Sequence, residues 1–278
     1  MNGLLIVGGL TIDHFTDGRT APGGSVMHSG LAAVAEGDAP TILTVAGDEP
    51  AARDGLERLA GMGELVRQAA ARTATYRHEE HAGRRVLIYE AATDPIVVPD
   101  GLGAPGVALV APIADELPAD AVSALLGALR PRCTVMLIQG WLRRLEIGSP
   151  VRPLPLAEVP AELWTAFGHA DAVVVSTEDL AETPEDPFAQ AQAVRARLGE
   201  APLLVLTLGQ EGYLLDDPGA NRVVASVPRR IVEGVPMVGA GDTFGAALAI
   251  HLARGADAAT AAAAATERVI RVLEGRRA

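Results

Sequence analysis

Lysine is absent from this sequence of 278 residues, and all 23 basic residues are arginine. A Walker-type phosphate loop needs a lysine that reaches the phosphates, and Schiff-base catalysis needs a lysine amine. Both kinds of site are therefore excluded. Any cationic side chain that assists catalysis in this protein must be an arginine.

Cysteine and long apolar runs are also scarce. The single cysteine, Cys133, lies in an apolar stretch, so an internal disulfide is impossible and a reducing compartment is expected. The longest alanine-rich stretch, residues 256–266, is too short and too weakly hydrophobic to span a bilayer. No signal-peptide pattern opens the sequence. We predict a cytoplasmic protein with no membrane partner.

Basic residues are outnumbered, since 35 acidic residues give a formal net charge of −12 at pH 7. General nucleic-acid binding needs a basic surface, so we expect no nucleic-acid partner. Apolar residues make up 49% of the chain, which is typical of a globular protein with a substantial core.

Short aliphatic runs alternate with amphipathic stretches along most of the sequence. Runs that are apolar on both faces are typical of buried strands in a parallel sheet, and they occur at residues 4–7, 41–45, 107–110, 135–138, 172–175 and 203–208. The helix candidates between them are residues 25–36, 51–60, 120–129, 158–167 and 187–198. This order predicts an α/β fold, a three-layer αβα sandwich with a mostly parallel central sheet.

Two segments depart from this alternation. Residues 73–78 and 84–90 predict an antiparallel hairpin at a sheet edge, and residues 212–215 and 223–227 predict a second antiparallel pair. Two helices, 243–254 and 258–273, close the chain. No clear linker divides the sequence, which predicts a single domain over residues 1–278.

A glycine-rich turn, VGAGDTF at residues 238–244, opens the first closing helix. Small residues before a helix N-terminus let backbone N–H groups converge on an anion, and the helix dipole adds a favourable field. Asp242 can then accept a proton from a substrate hydroxyl while the amides of Gly239, Ala240 and Gly241 stabilise the transferred phosphate. An ordinary aspartate cap would not require glycines on both sides of Ala240.

A dinucleotide-binding fingerprint is a second interpretation of Gly239-x-Gly241-x-x-x-Gly245. That fingerprint follows the first strand of a βαβ unit, with an acidic residue at the end of the next strand. Here only helices follow the motif, which disfavours a dehydrogenase.

The GAGDTF run resembles the C-terminal signature of the ribokinase/PfkB carbohydrate kinases. Other segments resemble the same family in order and spacing: Gly8-Gly9-Leu10-Thr11-Ile12-Asp13, Pro22-Gly23-Gly24-Ser25, Gly47-Asp48 and Thr207-Leu208-Gly209-x-x-Gly212. Each match is weak alone, but together they cover nearly the whole chain. A lidless pattern, together with a Thr-rich strand at residues 73–76, the Gln139-Gly140-Trp141 segment and Ser176-x-x-Asp179, looks most like the subgroup that contains myo-inositol kinases.

The resemblance implies an enzyme with the ribokinase-like fold that transfers phosphate from ATP, with Mg²⁺, to a hydroxyl of a small sugar or cyclic polyol. Asp242 would be the general base, and Gly239, Ala240 and Gly241 the anion hole. The implied substrate-binding residues are Asp13, Gly23, Gly24 and His28. The implied nucleotide-binding residues are Thr207, Gly209, Gly212 and Ser176, with Asp179 near the metal.

Several positions depart from the family pattern. His28 stands where an asparagine is usual, and Ser176-x-x-Asp179 stands where Asn-x-x-Glu is usual. Only nine residues separate Asp13 from Gly23. The β-lid of the family, which often forms the dimer interface, is therefore expected to be absent or reduced to a turn too short for a hairpin. We expect a monomer, or a dimer built on another surface.

Other interpretations stay open. A nucleotide- or metabolite-binding regulator that has lost catalysis would explain the changes at His28 and Ser176, although it would not need Asp242. A kinase of a nucleoside or hydroxymethylpyrimidine would need aromatic stacking, and the chain has only four Phe, two Trp and three Tyr residues. His78 and His81 lack further ligands at metal spacing, and a solvated surface is expected for both.

Overall fold

The structure is a computed structural model that describes residues 3–81, 84–181 and 186–277. Its strands are β1 Leu4–Gly8, β2 Thr11–His14, β3 Thr20–Gly23, β4 Thr41–Ala46, β5 Glu64–Ala69, β6 Ala74–His81, β7 Arg84–Ala91, β8 Val107–Ala111, β9 Cys133–Leu137, β10 Arg143–Arg144, β11 Arg152–Pro153, β12 Ala172–Ser176, β13 Leu203–Thr207, β14 Tyr213–Asp217 and β15 Arg222–Ser226. Its helices are α1 Ser25–Ala35, α2 Pro50–Ala60, α3 Ala119–Leu129, α4 Ala161–Gly168, α5 Pro187–Leu198, α6 Ala240–Ala253 and α7 Ala258–Gly275.

The central sheet runs in the order β15-β14-β13-β12-β9-β8-β1-β4-β5 over the described residues. From β13 to β5 every neighbouring pair is parallel, and β14 and β15 continue the sheet as antiparallel strands. The predicted α/β class and the antiparallel pair near the end are therefore confirmed. Strand β5 was not predicted, because its sequence ELVRQA carries polar residues at the sheet edge.

Helices cover both faces of this sheet and bury it. Along β1, Leu4 and Ile6 point to the side of α1, α2, α6 and α7, whereas Leu5 and Val7 point to the side of α3, α4 and α5. This alternation across a strand with two buried faces produces the three layers. None of the helices in the described residues is long and apolar enough to cross a membrane.

Helix α6 lies in the middle of one layer. Its residues Asp242 to Ile250 are all buried, and it packs against α1, α7 and the strands β8 and β9. A helix that is apolar around its whole circumference belongs in the core rather than at the surface. The glycine-rich turn at its N-terminus is thereby held at the carboxyl ends of the parallel strands.

A second sheet, which we call the lid sheet, has the strand order β3-β2-β6-β7. β2 pairs with β3 as an antiparallel hairpin and with β6 in parallel. The expectation that the segment between Asp13 and Gly23 holds only a turn is wrong. Two strands of four residues fit because residues 15–19 form a tight turn, closed by a 2.9 Å bond from the Phe15 N–H to the Arg19 carbonyl, and because β6 supports β2 from the other side.

The outward face of the lid sheet is polar. His14 Nδ1 lies 2.7 Å from Glu90 Oε2, Arg77 Nε lies 2.7 Å from Glu90 Oε1, and Arg77 also pairs with Glu79. Interface cores are depleted in charged residues, so this face is a poor candidate for pairing two copies of the chain.

We therefore predict that the lid sheet forms no dimer interface in solution. Reversing one charge on its outer face, Arg77→Glu, is expected to leave the molar mass from light scattering unchanged. A wild-type dimer that dissociates on this single substitution would contradict the prediction.

Candidate active site

One cavity of about 320 Å³ lies between the lid sheet and the carboxyl ends of the parallel strands. Ligands of open α/β sheets bind at this edge. All the site residues predicted from the sequence line it except Gly23: Asp13, Gly24, His28, Ser176, Asp179, Thr207, Gly209, Gly212, Gly239, Ala240, Gly241 and Asp242. The sequence motifs, far apart in the chain, therefore converge.

The turn before α6 requires glycine at its first position. Gly239 has φ of +75°, and a Cβ there would lie 2.2 Å from Cγ of His28. The Ala240 N–H already donates to the Met237 carbonyl at 3.0 Å. Helix geometry leaves the N–H groups of Gly239, Gly241 and Asp242 without an intrahelical acceptor, so these amides are available to an anion, whereas that of Ala240, also predicted for this role, is already bonded.

Asp242 is buried, and its side chain does not cap α6, whose N-cap Gly239 has no side-chain bond. Its Oδ1 instead accepts a 3.1 Å hydrogen bond from Nε2 of Gln139. Burial raises the pKa of Asp242, and the nearby His28, Arg143 and Gln139 oppose that rise. The ordinary helix-cap interpretation therefore fails, because this carboxylate is held by other elements.

His28 lies on α1 and is pressed against the glycine turn. Burial lowers its pKa, the charge of Asp242 raises it, and Arg276 lowers it further. We therefore expect a neutral ring, with one nitrogen as a donor and the other as an acceptor. The asparagine that the resemblance leads us to expect here would also offer both.

Arg143 is one of two arginines that line the cavity, the other being Arg230, and the sequence did not identify it. It follows the short turn Gln139–Leu142 after β9 and is 14% exposed. Its guanidinium donates to the Ile113 carbonyl at 3.1 Å and to Gln139 Oε1 at 3.2 Å, and it lies 3.8 Å from Asp179 Oδ1. The i, i+4 spacing of Gln139 and Arg143 at a strand end is the only local signal that points to it.

At the end of the cavity formed by the lid sheet, two consecutive glycines let the backbone approach Asp13 closely. A Cβ on Gly23 would lie 2.4 Å from Asp13 Oδ2, and Gly24 has φ of +94° with a Cβ position 2.2 Å from the Gly9 carbonyl. Asp13 Oδ1 accepts a 3.3 Å bond from the Thr11 hydroxyl. Gly23 therefore packs behind the carboxylate instead of lining the cavity.

The expectation of a solvated surface is wrong for His78, while the side chain of His81 lies outside the described residues. His78 is 8% exposed, stacks on Phe15 with ring centroids 4.6 Å apart, and places Nε2 3.6 Å from Asp13 Oδ1. It was missed because strand alternation turns it inward only once β6 joins the lid sheet. His78 therefore belongs to the wall beside Asp13.

The lid sheet is tied to the body through the loop after β8. The Tyr76 hydroxyl donates to the Ile113 carbonyl at 2.9 Å, and the same oxygen accepts from Arg143. Buried Glu116 fixes this loop by accepting from the N–H groups of Ile113 and Ala114, both at 2.8 Å. Burial raises the pKa of Glu116.

The other end of the cavity is built by the strand ends of β12 and β13 and by α7. Ser176 accepts from the Glu178 N–H at 3.3 Å and so begins the short turn Thr177–Asp179. Gly212 has φ of +107°, and a Cβ there would lie 2.0 Å from the Ser226 carbonyl, so only glycine fits. Farther out the wall is apolar, with Ile231, Val232, Met237, Val269, Ile270 and Leu273.

Two carboxylates of this end, Glu178 and Asp179, line the cavity. Burial raises the pKa of Asp179, and Arg143 opposes the rise. The described residues contain no group of three or more side chains that could hold a metal by themselves. A magnesium ion usually takes one or two carboxylates together with substrate phosphates, which is compatible with this pair.

Comparisons with known proteins bear on the family and the fold. Residues 148–267 match the model of the pfkB family carbohydrate kinases. The resemblance predicted from the sequence is borne out by this match over these residues, and the chain as a whole has the ribokinase-like fold. The finer resemblance to myo-inositol kinases stays a prediction. No curated protein matches the sequence.

Solved structures share the fold at low identity. Ribokinase of Arabidopsis thaliana complexed with ribose and ATP is 18% identical, with 98% of this chain and 99% of that chain covered and a TM-score of 0.73. A pyrophosphate-dependent kinase in the ribokinase family, complexed with a pyrophosphate analog and myo-inositol, is also 18% identical, with 95% and 92% covered and a TM-score of 0.73. Fructokinase from Vibrio cholerae O395, with fructose, ADP and calcium ion bound, is 19% identical, with 97% and 90% covered and a TM-score of 0.71.

Proposed function

We propose that this protein phosphorylates a hydroxyl group of a small sugar or cyclic polyol, with ATP as the donor and Asp242 as the general base. The observation that carries the proposal is the position of two carboxylates. Asp13 from the lid sheet and Asp242 from the N-terminus of α6 face one cavity from opposite elements.

The acceptor is held at the Asp13 end. A carboxylate accepts hydrogen bonds from neighbouring hydroxyls, and His78 and His28 add ring nitrogens that suit a polyhydroxylated molecule. Asp242 then accepts the proton of the hydroxyl nearest to it, which orients the oxygen for in-line attack. The lid sheet excludes water from this end.

The donor phosphates lie against the amides of Gly241 and Asp242. These N–H groups and the helix dipole stabilise the charge that develops during transfer. Magnesium, when bound, neutralises phosphate charge, and Asp179 and Glu178 are the residues that would hold it through carboxylate oxygens. Arg143 adds a fixed positive charge close to Asp179.

The apolar outer wall supports a nucleotide donor. Proteins of this fold include one described with ATP and one described as pyrophosphate-dependent. Pyrophosphate is compact and highly charged and has no apolar group, so it would gain nothing by binding against an apolar wall. A purine ring does need one, and the side chains of Val269 and Ile270 on α7 supply it together with Ile231 and Val232, which line the same cavity.

A donor and acceptor screen tests the proposal. Phosphorus NMR should show a new phosphate ester when the protein is incubated with Mg²⁺, ATP and one member of a panel that includes ribose, fructose and myo-inositol. Pyrophosphate in place of ATP is expected to give no product. Product from pyrophosphate alone would overturn the donor assignment, and ATP binding with no product from a broad panel would favour a regulator.

A larger side chain in the apolar wall should weaken the binding of ATP and thereby test whether the donor is a nucleotide. Val269→Phe is expected to raise KM for ATP by about tenfold or more, because apolar contacts in a pocket are worth about that much. KM for the acceptor should change little. Val272→Phe, one turn farther along α7 and outside the cavity lining, is the matched control. An unchanged KM for ATP in Val269→Phe would show that the purine ring of ATP does not bind against this wall.

A further inference from the structure

Gln139 and Arg143 are presented to the cavity by a turn that is fixed in three places. A Cβ on Gly140 would lie 2.5 Å from the Pro112 carbonyl, so the turn packs directly on the neighbouring loop. Trp141 Nε1 donates to the Leu117 carbonyl at 2.6 Å, and Arg143 Nη1 donates to the Ile113 carbonyl at 3.1 Å. Both side chains therefore start from a rigid backbone.

The side-chain hydrogen bonds of this turn run from Arg143 to Gln139 and from Gln139 to Asp242, each residue donating to the next. A guanidinium has only donors, so the contact from Arg143 Nη2 to Gln139 at 3.2 Å fixes the amide oxygen on the side of the arginine. The amide nitrogen must then face Asp242, to whose Oδ1 it donates at 3.1 Å. Arg143 thus determines which end of Gln139 the catalytic carboxylate meets.

We propose that Gln139 and Arg143 are positioning residues that act as a pair, in which Arg143 orients Gln139 and Gln139 holds the Asp242 carboxylate as a hydrogen-bond acceptor. The inference rests on the proposed role of Asp242 as the base. Without this pair, the buried carboxyl would take up a proton more readily and would no longer be held in one rotamer.

Charged and titratable groups reach Asp242 from several elements. His28 faces it from α1, Arg143 from the start of β10, and Asp179 from the turn after β12. Asp13 and Arg276 act on His28 in turn. Of these groups, only Arg143 also controls a neutral side chain that touches the carboxylate. Removing Gln139 leaves every charge in place, so it isolates the hydrogen bond.

Carbon-13 NMR of the full-length protein, labelled at the aspartate carboxyl carbons, tests the pair directly. The signal of Asp242 is assigned with Asp242→Asn. Gln139→Leu is expected to raise the titration midpoint of Asp242 by about one to two pH units, since a hydrogen bond to a charged group is lost. Arg143→Met is expected to raise it as well. Arg144→Met, the adjacent exposed arginine that pairs with Glu158, should leave it unchanged.

A midpoint that does not move in Gln139→Leu would overturn the proposal. Gln139→Asn provides a second variant, because its shorter amide cannot reach both Arg143 and Asp242 while the polarity of the site is kept. It should also raise the midpoint. An unchanged midpoint in a folded Gln139→Asn protein, judged by its amide spectrum, counts equally against the pair.

Kinetics on the acceptor found in the screen supply a second readout. A base works only when deprotonated, so the acidic limb of kcat/KM should move to higher pH in Gln139→Leu, with the loss shrinking as the pH rises. If Gln139 had a purely structural role, the substitution would lower activity equally at all pH values. That result would contradict the proposal. If no acceptor is phosphorylated, the proposed function fails while the NMR titration still decides the pair.

Discussion

Replacing Asp242 with asparagine is expected to lower kcat by about 10²–10⁴-fold, the usual contribution of a general base. Asparagine keeps the size of the side chain and can still meet Gln139, so binding of the donor should persist. The measurement is steady-state kinetics together with a nucleotide dissociation constant for the same sample. Near-normal turnover in Asp242→Asn would remove this residue from the mechanism.

The same substitution should make the protein more stable at neutral pH. Burial raises the pKa of Asp242, so the folded state binds this proton more tightly than the unfolded state does. The stability that this provides is fully present below the unfolded pKa and is lost as the pH rises through the folded pKa. Asparagine has no charge to bury, so its Tm should exceed that of the wild type, by a margin that grows from acid to neutral pH.

Asp257 is the control for both effects. It is the N-cap of α7, its side chain accepts from the Thr260 N–H at 2.9 Å, and that bond lowers its pKa. Asp257→Ala should therefore lower Tm and leave kcat unchanged. If Asp242→Asn also lowered Tm at neutral pH, the Asp242 carboxylate would stabilise the fold, and the cost assigned here to its burial would be wrong.

Asp13→Ala is expected to raise KM for the acceptor by about 10²-fold or more, with KM for ATP nearly unchanged. Each hydrogen bond from a hydroxyl to a charged partner contributes about 1.5–3 kcal/mol, and a carboxylate can accept from two hydroxyls. Asp13 lies on the lid sheet, whereas the apolar wall proposed for the nucleotide is formed by other elements, so the effect should be confined to one substrate.

Asp17 provides the comparison within the same hairpin. It lies in the turn between β2 and β3 and pairs with Arg19 at the surface. Asp17→Ala should leave both KM values unchanged, which shows that the hairpin tolerates the loss of a carboxylate. Equal increases in both KM values for Asp13→Ala would make Asp13 a folding residue.

The sequence predicted the glycine positions of the site better than its side-chain network. Gly24, Gly212 and Gly239 were identifiable because close backbone contacts and positive φ leave glycine as the only fitting residue. Arg143 was not, because it is one of 23 arginines and its role arises only when β9 and α6 are brought together. Such contacts are set by packing, and no local pattern encodes them.

The lid sheet is a second feature that could not be predicted from a local stretch of sequence. Nine residues between Asp13 and Gly23 looked too few for a hairpin when counted alone. Four-residue strands are marginal as an isolated pair, but β6 adds a third strand from later in the chain. Chain length between two motifs therefore gave a wrong estimate, because a sheet can recruit strands that are distant in sequence.

The carbonyl of Ile113 has a thermodynamic consequence for the two ends of the cavity. It accepts from Tyr76 on the lid sheet and from Arg143 beside the phosphate site, and one oxygen can hold both bonds. A ligand that orders the lid sheet therefore also orders the loop of Ile113, to which Arg143 is hydrogen-bonded. By linkage, acceptor binding should tighten donor binding by the same factor that donor binding tightens acceptor binding. Tyr76→Phe should weaken that coupling in both directions equally, because it removes the hydrogen bond between the lid sheet and the Ile113 carbonyl.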